Sequence, residues 1–529
     1  MKATYIDYKD TNSFSKTLLG YLAGDEGLDP FYGNKPDMEG FEAQIKLKSS
    51  FAHRKVLVEV LLQQYEGLLE GAGEVKQNID LLAKDSTFTV TTGHQLNIFT
   101  GPLYFIFKIA SAIRLAKDLK ERFPEKDFVP VYWMATEDHD FEEINNTRVY
   151  GKKITWDVPK VSGTGRMDTS SMADVVKEYC GMLGLSENSA RLVQIVEEAY
   201  LRGRNLANAT RVLVHELFKA YGLVILDADC VALKRLYAPI IAEDILQEKS
   251  YGAISKTSSL LESKGYTAQV YARPCNFFYL TDEFRERIEK TASGDFEVLH
   301  QGLYFTPKQL EEEIEVHPER FSPNVVMRPL YQEVVLPNLA YIGGGAEIVY
   351  WLQLKANFDQ YGVPFPILVP RNSALITEDN VVGKIYRLNL TFKSVFKSTT
   401  ALQNEYVRRH TTHRLHLKDE WMELNAIFGK IKLRAHKIDP SLGPSTDAVK
   451  ARLKKAINNL EKKLLKADKR NHQDALLQIE RVKEKLFPGG GLQERTENFA
   501  VLYVKYGDDL IADLIKHFDP LAFKFTILY

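Results

Sequence analysis

Three short strings concentrate the side chains that could do chemistry. The first, Thr91–Pro102, reads TTGHQLNIFTGP. Gly93 and Gly101 let the backbone turn tightly or approach a ligand, and His94, Gln95 and Asn97 supply hydrogen-bonding groups. The second, Thr136–Asn145, reads TEDHDFEEIN and crowds Glu137, Asp138, His139, Asp140, Glu142 and Glu143 together. Like charges this close are costly unless a cation, a donor or a proton relieves them, and such cost is tolerated where it serves function. A metal site, a general base, or acceptors for a substrate ammonium or sugar hydroxyls are the chemistries open to it; a solvated acidic turn is the plain alternative. In an extended stretch Asp138 and Asp140 would face one way and His139 the other, which argues against a metal cage. The third string, Arg328–Trp351, reads RPLYQEVVLPNLAYIGGGAEIVYW. Gly343, Gly344 and Gly345 stand between Tyr341 on a strand and a helix, a context that suits a phosphate-cradling turn. Glu347, one helical turn on, could take a cation or a ribose hydroxyl. Arg371, after PILVP, could counter phosphate charge or serve as a structural ion-pair partner.

The elements that must position these strings alternate. Phe88–Thr92 reads as a strand, and Pro102 opens an amphipathic helix to Arg122. Phe128–Thr136 is a second strand, Gly222 starts the strand LVILDAD, and PNLAYIGGG and PILVP close the set. Strand, loop, helix, strand implies an α/β fold with a parallel sheet, and ligands of such sheets bind beyond the strands' C-terminal ends. The free N–H groups at the start of the Pro102 helix would suit phosphate or carboxylate. Between Tyr251 and Asn324 the pattern changes to short strand-like segments (AQVYA, FFYLT, FEVLH, LYFTP) and a helix over Pro307–Val316, a small α+β insertion.

The C-terminal quarter differs in kind. Leu417, Trp421, Leu424, Phe428, Ile431, Ala435 and Ile438 are spaced 4-3-4-3-4-3, a heptad seam. Asp439-Pro440 and Gly443-Pro444 break it. Thr446 or Asp447 then caps a second helix running to Leu486, whose seam is irregular near Asn471. The pair reads as an antiparallel coiled coil supporting a homodimer. Residues 451–487 hold eleven Lys/Arg against five Asp/Glu, leaving 58 against 65 elsewhere. That basic face reads as a solvated coiled-coil face; no aromatics interleave with it as single-strand binding would want.

Composition bounds the rest. The 529 residues suffice for about three structural units. A net charge of -1 removes any global reason to seek nucleic acid or an anionic membrane. Three cysteines, none in a Cys-x-x-Cys pair, make neither a disulfide framework nor a thiolate zinc site. No signal peptide or apolar span is visible, so a cytoplasmic location is expected.

Taken in order, TGHQ…F-TGPLY (Thr92–Tyr104), EDHDFEE (Glu137–Glu143), RPLYQ (Arg328–Gln332), AYIGGGAEIVYW (Ala340–Trp351) and LQER (Leu492–Arg495) resemble the bacillithiol biosynthesis cysteine ligase family, BshC. The resemblance implies a Rossmann-type core like that of class I aminoacyl-tRNA synthetases, two connecting insertions and a coiled coil that pairs subunits. It implies a ligase joining cysteine to glucosaminyl malate in the last step toward bacillithiol. The expected divisions are 1–160 (N-terminal helices and first half of the core), 161–204 (first insertion), 205–250 (core helix–strand–helix) and 251–325 (second insertion). They continue as 326–400 (second half of the core), 401–490 (coiled coil) and 491–529 (a segment returning to the core).

Amide formation from a free carboxylate needs an activated acyl group. If ATP or another nucleotide with magnesium supplies it, His94 and the Pro102 helix would stabilise phosphate charge. Asp138 or Asp140 would take a proton from the attacking amine or hold its ammonium. Gly93, Gln95, Asn97, Gly101, His139, Arg328, Tyr341, Gly343–Gly345, Glu347 and Arg371 would bind nucleotide or substrate, with no tightly held metal. A nucleotidyl or sugar-nucleotide transferase on the same core, and a noncatalytic coiled-coil scaffold, are the other function classes left open.

Overall fold

Five buried strands assemble into one parallel sheet in the computed structural model, which describes residues 1–159 and 162–529. The expected 160/161 boundary lies outside the described residues. The strands are β1 (Thr87–His94), β2 (Asp127–Met134), β3 (Val224–Asp227), β4 (Asn338–Gly343) and β5 (Ile367–Pro370). Their order across the sheet is β3-β2-β1-β4-β5, with every pairing parallel. This is the doubly wound order, and it reverses direction between β1 and β4. Register sets His94 opposite Met134, Met134 opposite Asp227, and Gly343 opposite Pro370. The strand ends that carry the three chemical strings therefore share one edge of the sheet.

β2 to β5 read as largely apolar runs, and β1 as a β-branched one, because both faces of a parallel sheet are covered. One cover includes α1 (Met38–Leu47) and α3 (Tyr104–Arg122); between them in sequence lies α2 (Arg54–Gln64). Phe41, Ile45, Phe88, Val90, Ala112, Leu115, Leu119, Leu339, Ile342 and Val369 form a buried cluster, each large apolar member contributing about 1.5–3 kcal/mol. Thr89 and Thr91 hydroxyls both donate to Asn338 Oδ1, at 3.1 and 2.8 Å, whereas the buried Thr87 hydroxyl has no partner among the described residues. The helix expected to open at Pro102 starts at Tyr104 instead. Pro102 forms a β-bridge with Asn498, and the Leu103 N–H donates to Glu497 O at 2.8 Å. The C-terminal segment thus takes up a donor that was expected to face an anion.

A four-residue helix, α4 (Phe141–Ile144), follows β2; α5 (Leu206–Phe218) and α6 (Val231–Gln247) flank β3; α7 (Arg328–Val335) and α8 (Gly345–Trp351) flank β4. The insertion between α6 and α7 is an antiparallel sheet of Phe277–Leu280, Arg285–Lys290, Phe296–Val298, Leu303–Phe305 and Phe321–Pro323, with a helix at Pro307–Val316. Thr306 and Gln309 form a capping box at that helix start. The expected strand over 268–272 is irregular. Gln269 and Val270 give their N–H groups to the Gln353 side chain, at 2.7 and 3.1 Å, rather than to a ladder.

Residues 1–9, 13–375 and 491–528 form one unit, and 10–12, 376–490 and 529 a second. In the first, the C-terminal strand Lys524–Leu528 pairs antiparallel with Ala3–Asp7. In the second, α9 (Lys418–Ile438) and α10 (Leu442–Asp468) are antiparallel: Leu417 N–H reaches Glu461, Lys454 lies over the Trp421 ring, and Lys432 pairs with Asp447. Two expectations change here. Gly443 and Pro444 lie inside the first turn of α10, where proline loses no helical hydrogen bond, so Thr446 and Asp447 are interior rather than capping. The second helix does not run unbroken to Leu486. A 3₁₀ turn at Lys469–His472 separates α10 from α11 (Gln473–Leu486), where the heptad spacing is irregular. Asn471 is exposed and bonds Asp468 Oδ1 at 3.1 Å, outside any seam, while Leu476, Ile479, Val482 and Leu486 are buried within their own unit.

Candidate active site

At the end of β1, Gly93 has no left-handed φ, and its surroundings are tight. A Cβ there would lie 3.3 Å from Tyr341 Oη and 3.5 Å from Arg328 Nη1. His94 packs edge-on against Phe105 at 5.1 Å and beside Tyr104 at 5.5 Å. Its Nδ1 is 2.8 Å from Gln95 O. A carbonyl oxygen only accepts, so Nδ1 carries the hydrogen and Nε2 of the neutral ring carries a lone pair. Burial, with Lys108 nearby, pushes the His94 pKa down to about 4. The donor expected from sequence is therefore, at neutral pH, an acceptor with the chemistry of a general base.

Beyond it the chain is strained: Phe99, Thr100 and Gly101 have φ of 51°, 69° and 62°. Asn498 fixes this turn, donating to Phe99 O and Gly101 O at 2.7 Å each. Asn97 is buried beneath it and donates to Glu143 O at 3.3 Å. A Cβ at Gly101 would stand 2.6 Å from Asn97 Cβ. Gly101→Ala is expected to destabilise by about 1–3 kcal/mol, through left-handed strain and overpacking together, read as a lower urea midpoint with unchanged slope. An unchanged midpoint would show that the turn relaxes freely.

The string after β2 is a turn, not an extended stretch, which corrects the expected alternation. Asp138 Oδ1 accepts from the N–H groups of His139 (2.7 Å) and Asp140 (3.2 Å), while Oδ2 accepts from Gln95 Nε2 at 2.7 Å. The same amide reaches Glu143 Oε2 at 2.9 Å, so Gln95 bridges two carboxylates. Glu137 pairs with buried Lys234. Asp140 is exposed and caps α4 through the Glu143 N–H at 3.4 Å; its carboxylate is spent on the helix start, and it does not line the cavity described below. His139 does line it, its Nδ1 2.5 Å from Arg285 Nη1.

At the end of β4 the three glycines have no positive φ; they are small because Ile348, Glu347 and Leu18 crowd them. The Gly344 N–H donates to Glu347 Oε1 at 3.1 Å, so a carboxylate of the chain stands where the anion of a phosphate-cradling turn would sit. Glu347 also accepts from Tyr341 Oη at 2.7 Å and pairs with Lys108 Nζ at 2.5 Å. Burial alone would raise its pKa, but Lys108 outweighs that and holds it below the usual carboxylate value. Lys108 in turn donates to Gly93 O at 2.7 Å, linking the β1 and β4 ends. Arg328 donates to Gln332 Oε1 at 3.1 Å and lies over the Tyr341 ring. Arg371 pairs with fully buried Glu494 at 2.7 Å, yet its Nε has no partner.

These groups line one cavity of about 810 Å³ at the switch point of the sheet. His94, Gln95, Asp138, His139, Arg328, Tyr341, Glu347 and Arg371 face it with Gly93, Gly344 and Gly345, whereas Asn97, Gly101, Asp140 and Gly343 do not. Seven Lys/Arg against four Asp/Glu make its wall net basic, which suits an anionic ligand. Cys275 also lines it, but burial raises its thiol to about 12, far from a thiolate at neutral pH. Among the described residues no three His, Cys, Asp or Glu converge to hold a metal ion.

Residues 1–372 match the family model described as Bacillithiol biosynthesis BshC, N-terminal Rossmann-like domain, and residues 374–529 match its C-terminal coiled-coil domain. The chain belongs to the BshC family. Its relatives include proteins of Flavobacterium johnsoniae (42% identical, all of both chains covered), Christiangramia forsetii (41%, 100% of this chain and 99% of the other) and Cytophaga hutchinsonii (38%, 98% and 97%). Each is named "Putative cysteine ligase BshC". The family resemblance drawn from the five strings is thus confirmed, as are the Rossmann-like core and the coiled-coil region.

Four residues of this BshC site escape the sequence reading. Lys108 was the most findable, a lone cation in the apolar run FIFKIASAI that starts the helix after the first string. Lys234 and Arg285 come from segments with no local signal. Glu494 lies inside LQER, but only the fold shows it holding Arg371.

Proposed function

We propose that the chain joins L-cysteine to the amine of glucosaminyl malate, the last step of bacillithiol formation, with a nucleotide and magnesium activating the cysteine carboxylate. The observation that carries this reading is the two-sided character of the cavity. Lys108, Arg328 and Arg371 make a basic wall toward β4 and β5. Opposite them Gln95 draws Asp138 and Glu143 together as acceptors.

The nucleotide makes the carboxylate an acyl donor. Arg371, with its unpartnered Nε, and Arg328 would hold negative charge beside the reacting carbon. Asp138, fixed by three donors, would hold the amine, and His94 Nε2 would take its proton as the amide bond forms. Cysteine labelled with oxygen-18 in its carboxylate tests activation: one label should leave in AMP if the acyl group is adenylated, or in phosphate if it is phosphorylated. Amide formation with label in neither would contradict nucleotide activation. Chelation of the enzyme followed by magnesium alone should restore full turnover; a requirement for a transition metal would contradict the metal-free site.

We also propose a cytoplasmic homodimer through the coiled coil. No helix is long and apolar enough to cross a membrane among the described residues. In support of pairing, α9 has no fully buried residue, and Ile431, Ile438 and Leu460 are 44%, 82% and 49% exposed. Covering them would gain about 25 cal/mol per Å². Replacing Leu460 and Leu464 with Glu should convert a dimer to a monomer in sedimentation while the Rossmann unit stays folded. A dimer that survives the change would move the interface elsewhere.

A further inference from the structure

A smaller pocket of about 350 Å³ adjoins the main cavity and shares Gln95, Tyr104, Glu143 and Arg495 with it. Its far wall carries Arg148, on the short strand Asn146–Val149. Among the described residues neither Arg148 nor Arg495 has an ion-pair or side-chain hydrogen-bond partner, unlike Arg285, Arg328 and Arg371; of the remaining cavity arginines, Arg273 faces Glu289 at 3.9 Å and Arg287 is also unpaired but lies outside this pocket. Glu497 feels Arg148 electrostatically but stands beyond ion-pair distance. Glu143, the one carboxylate lining the pocket, is already engaged by Gln95. Two unpaired guanidiniums over one pocket present two planar forks, the geometry that recognises paired carboxylates.

We infer that this pocket is the anion subsite of the amine acceptor: Arg148 and Arg495 grip a dicarboxylate arm while Gln95, Asp138 and Glu143 hold the neighbouring amine. The inference rests on the reading of the main cavity as an amide-forming site with an amino-sugar acceptor. In such an acceptor the amine sits on the carbon next to the glycosidic one, so amine and dicarboxylate lie a few bonds apart. The shared wall of the two pockets matches that proximity. The other neighbouring pocket is a weaker host. Its Arg285 is spent on Ser322 Oγ, Pro323 O and His139, which leaves Arg287 as a single free guanidinium where the Arg148 pocket has two.

The test uses the full-length protein and L-malate alone as probe, by calorimetry. Wild type should bind malate saturably and prefer it to lactate, which has one carboxylate. Arg148→Gln and Arg495→Gln should each weaken malate by about tenfold or more, as loss of a bidentate charged pair implies, while Arg287→Gln, which lines the main cavity and the other pocket but not this one, should not. In turnover, Arg148→Gln should raise KM for glucosaminyl malate, leave kcat and the KM for cysteine nearly unchanged, and have no effect with methyl glucosaminide as acceptor. No saturable malate binding by wild type, or binding lost only in Arg287→Gln, would overturn the inference. Malate held through Arg148 and Arg495 in a protein that forms no amide would instead uphold the subsite and sink the ligase reading.

Discussion

Lys108→Met is expected to destabilise the fold by about 3–5 kcal/mol and to abolish turnover. The side chain is 4% exposed and has two acceptors, Glu347 Oε1 at 2.5 Å and Gly93 O at 2.7 Å. Methionine keeps most of the stem and removes the charge and its donors, leaving the Glu347 carboxylate largely enclosed beside Tyr341 without its cation. Breaking a buried pair from one side costs far more than the pair itself contributes, because the surviving charge is left uncompensated. The double variant Lys108→Met/Glu347→Gln should therefore recover most of the lost stability. It should not recover activity, since the tie between the β1 and β4 ends is gone. Urea midpoints of the three proteins check this; equal stability of wild type and Lys108→Met would show that the pair does not hold the two strand ends.

His94→Gln should lower turnover by about 10²–10⁴, the usual contribution of a positioned general base, with a smaller loss of stability. That loss is not negligible, because the ring packs on Phe105 and Tyr104. The pH dependence has a definite sign. An unfolded histidine titrates near about 6.5, whereas burial and Lys108 depress His94 to about 4. Between these values the unfolded chain takes up a proton that the folded chain refuses. The neutral ring therefore contributes stability that is fully present above about pH 6.5 and lost as pH falls toward 4. The acid limb of the rate profile should likewise fall near pH 4, not 6.5, and removing Lys108 should move the His94 titration upward. A His94 imidazole resonance titrating at the ordinary histidine value would remove it as the neutral base.

The core was legible because its signals are local. β1 is a β-branched run and β2 to β5 are short apolar ones, and α3 follows from its period; all five strands fall where the pattern puts them. Site strings at strand ends were legible for the same reason, since the doubly wound order gathers those ends. What was not legible depends on partners distant in sequence. Asp140 reads like Asp138, but one caps α4 and the other is turned into the cavity by Gln95, 43 residues away. The glycines read as a phosphate cradle, yet Glu347 already occupies the Gly344 N–H. His94 reads as a donor until its Nδ1 is seen to face a carbonyl. The break at Lys469–His472 was signalled by the irregular heptad, but its consequence, α11 buried in its own unit, was not.

The central claim is that a two-sided cavity at the β1–β4 switch point forms an amide between cysteine and an amino sugar. Its most direct test is turnover by the purified full-length protein with cysteine, glucosaminyl malate and each of several nucleotides, with products identified by mass. The account predicts a product heavier than glucosaminyl malate by one cysteinyl residue, formed only when a nucleotide is consumed in equal amount, and absent with His94→Gln. Nucleotide consumed without that product, with transfer of a nucleotidyl or sugar group instead, or no turnover with any nucleotide, would contradict it.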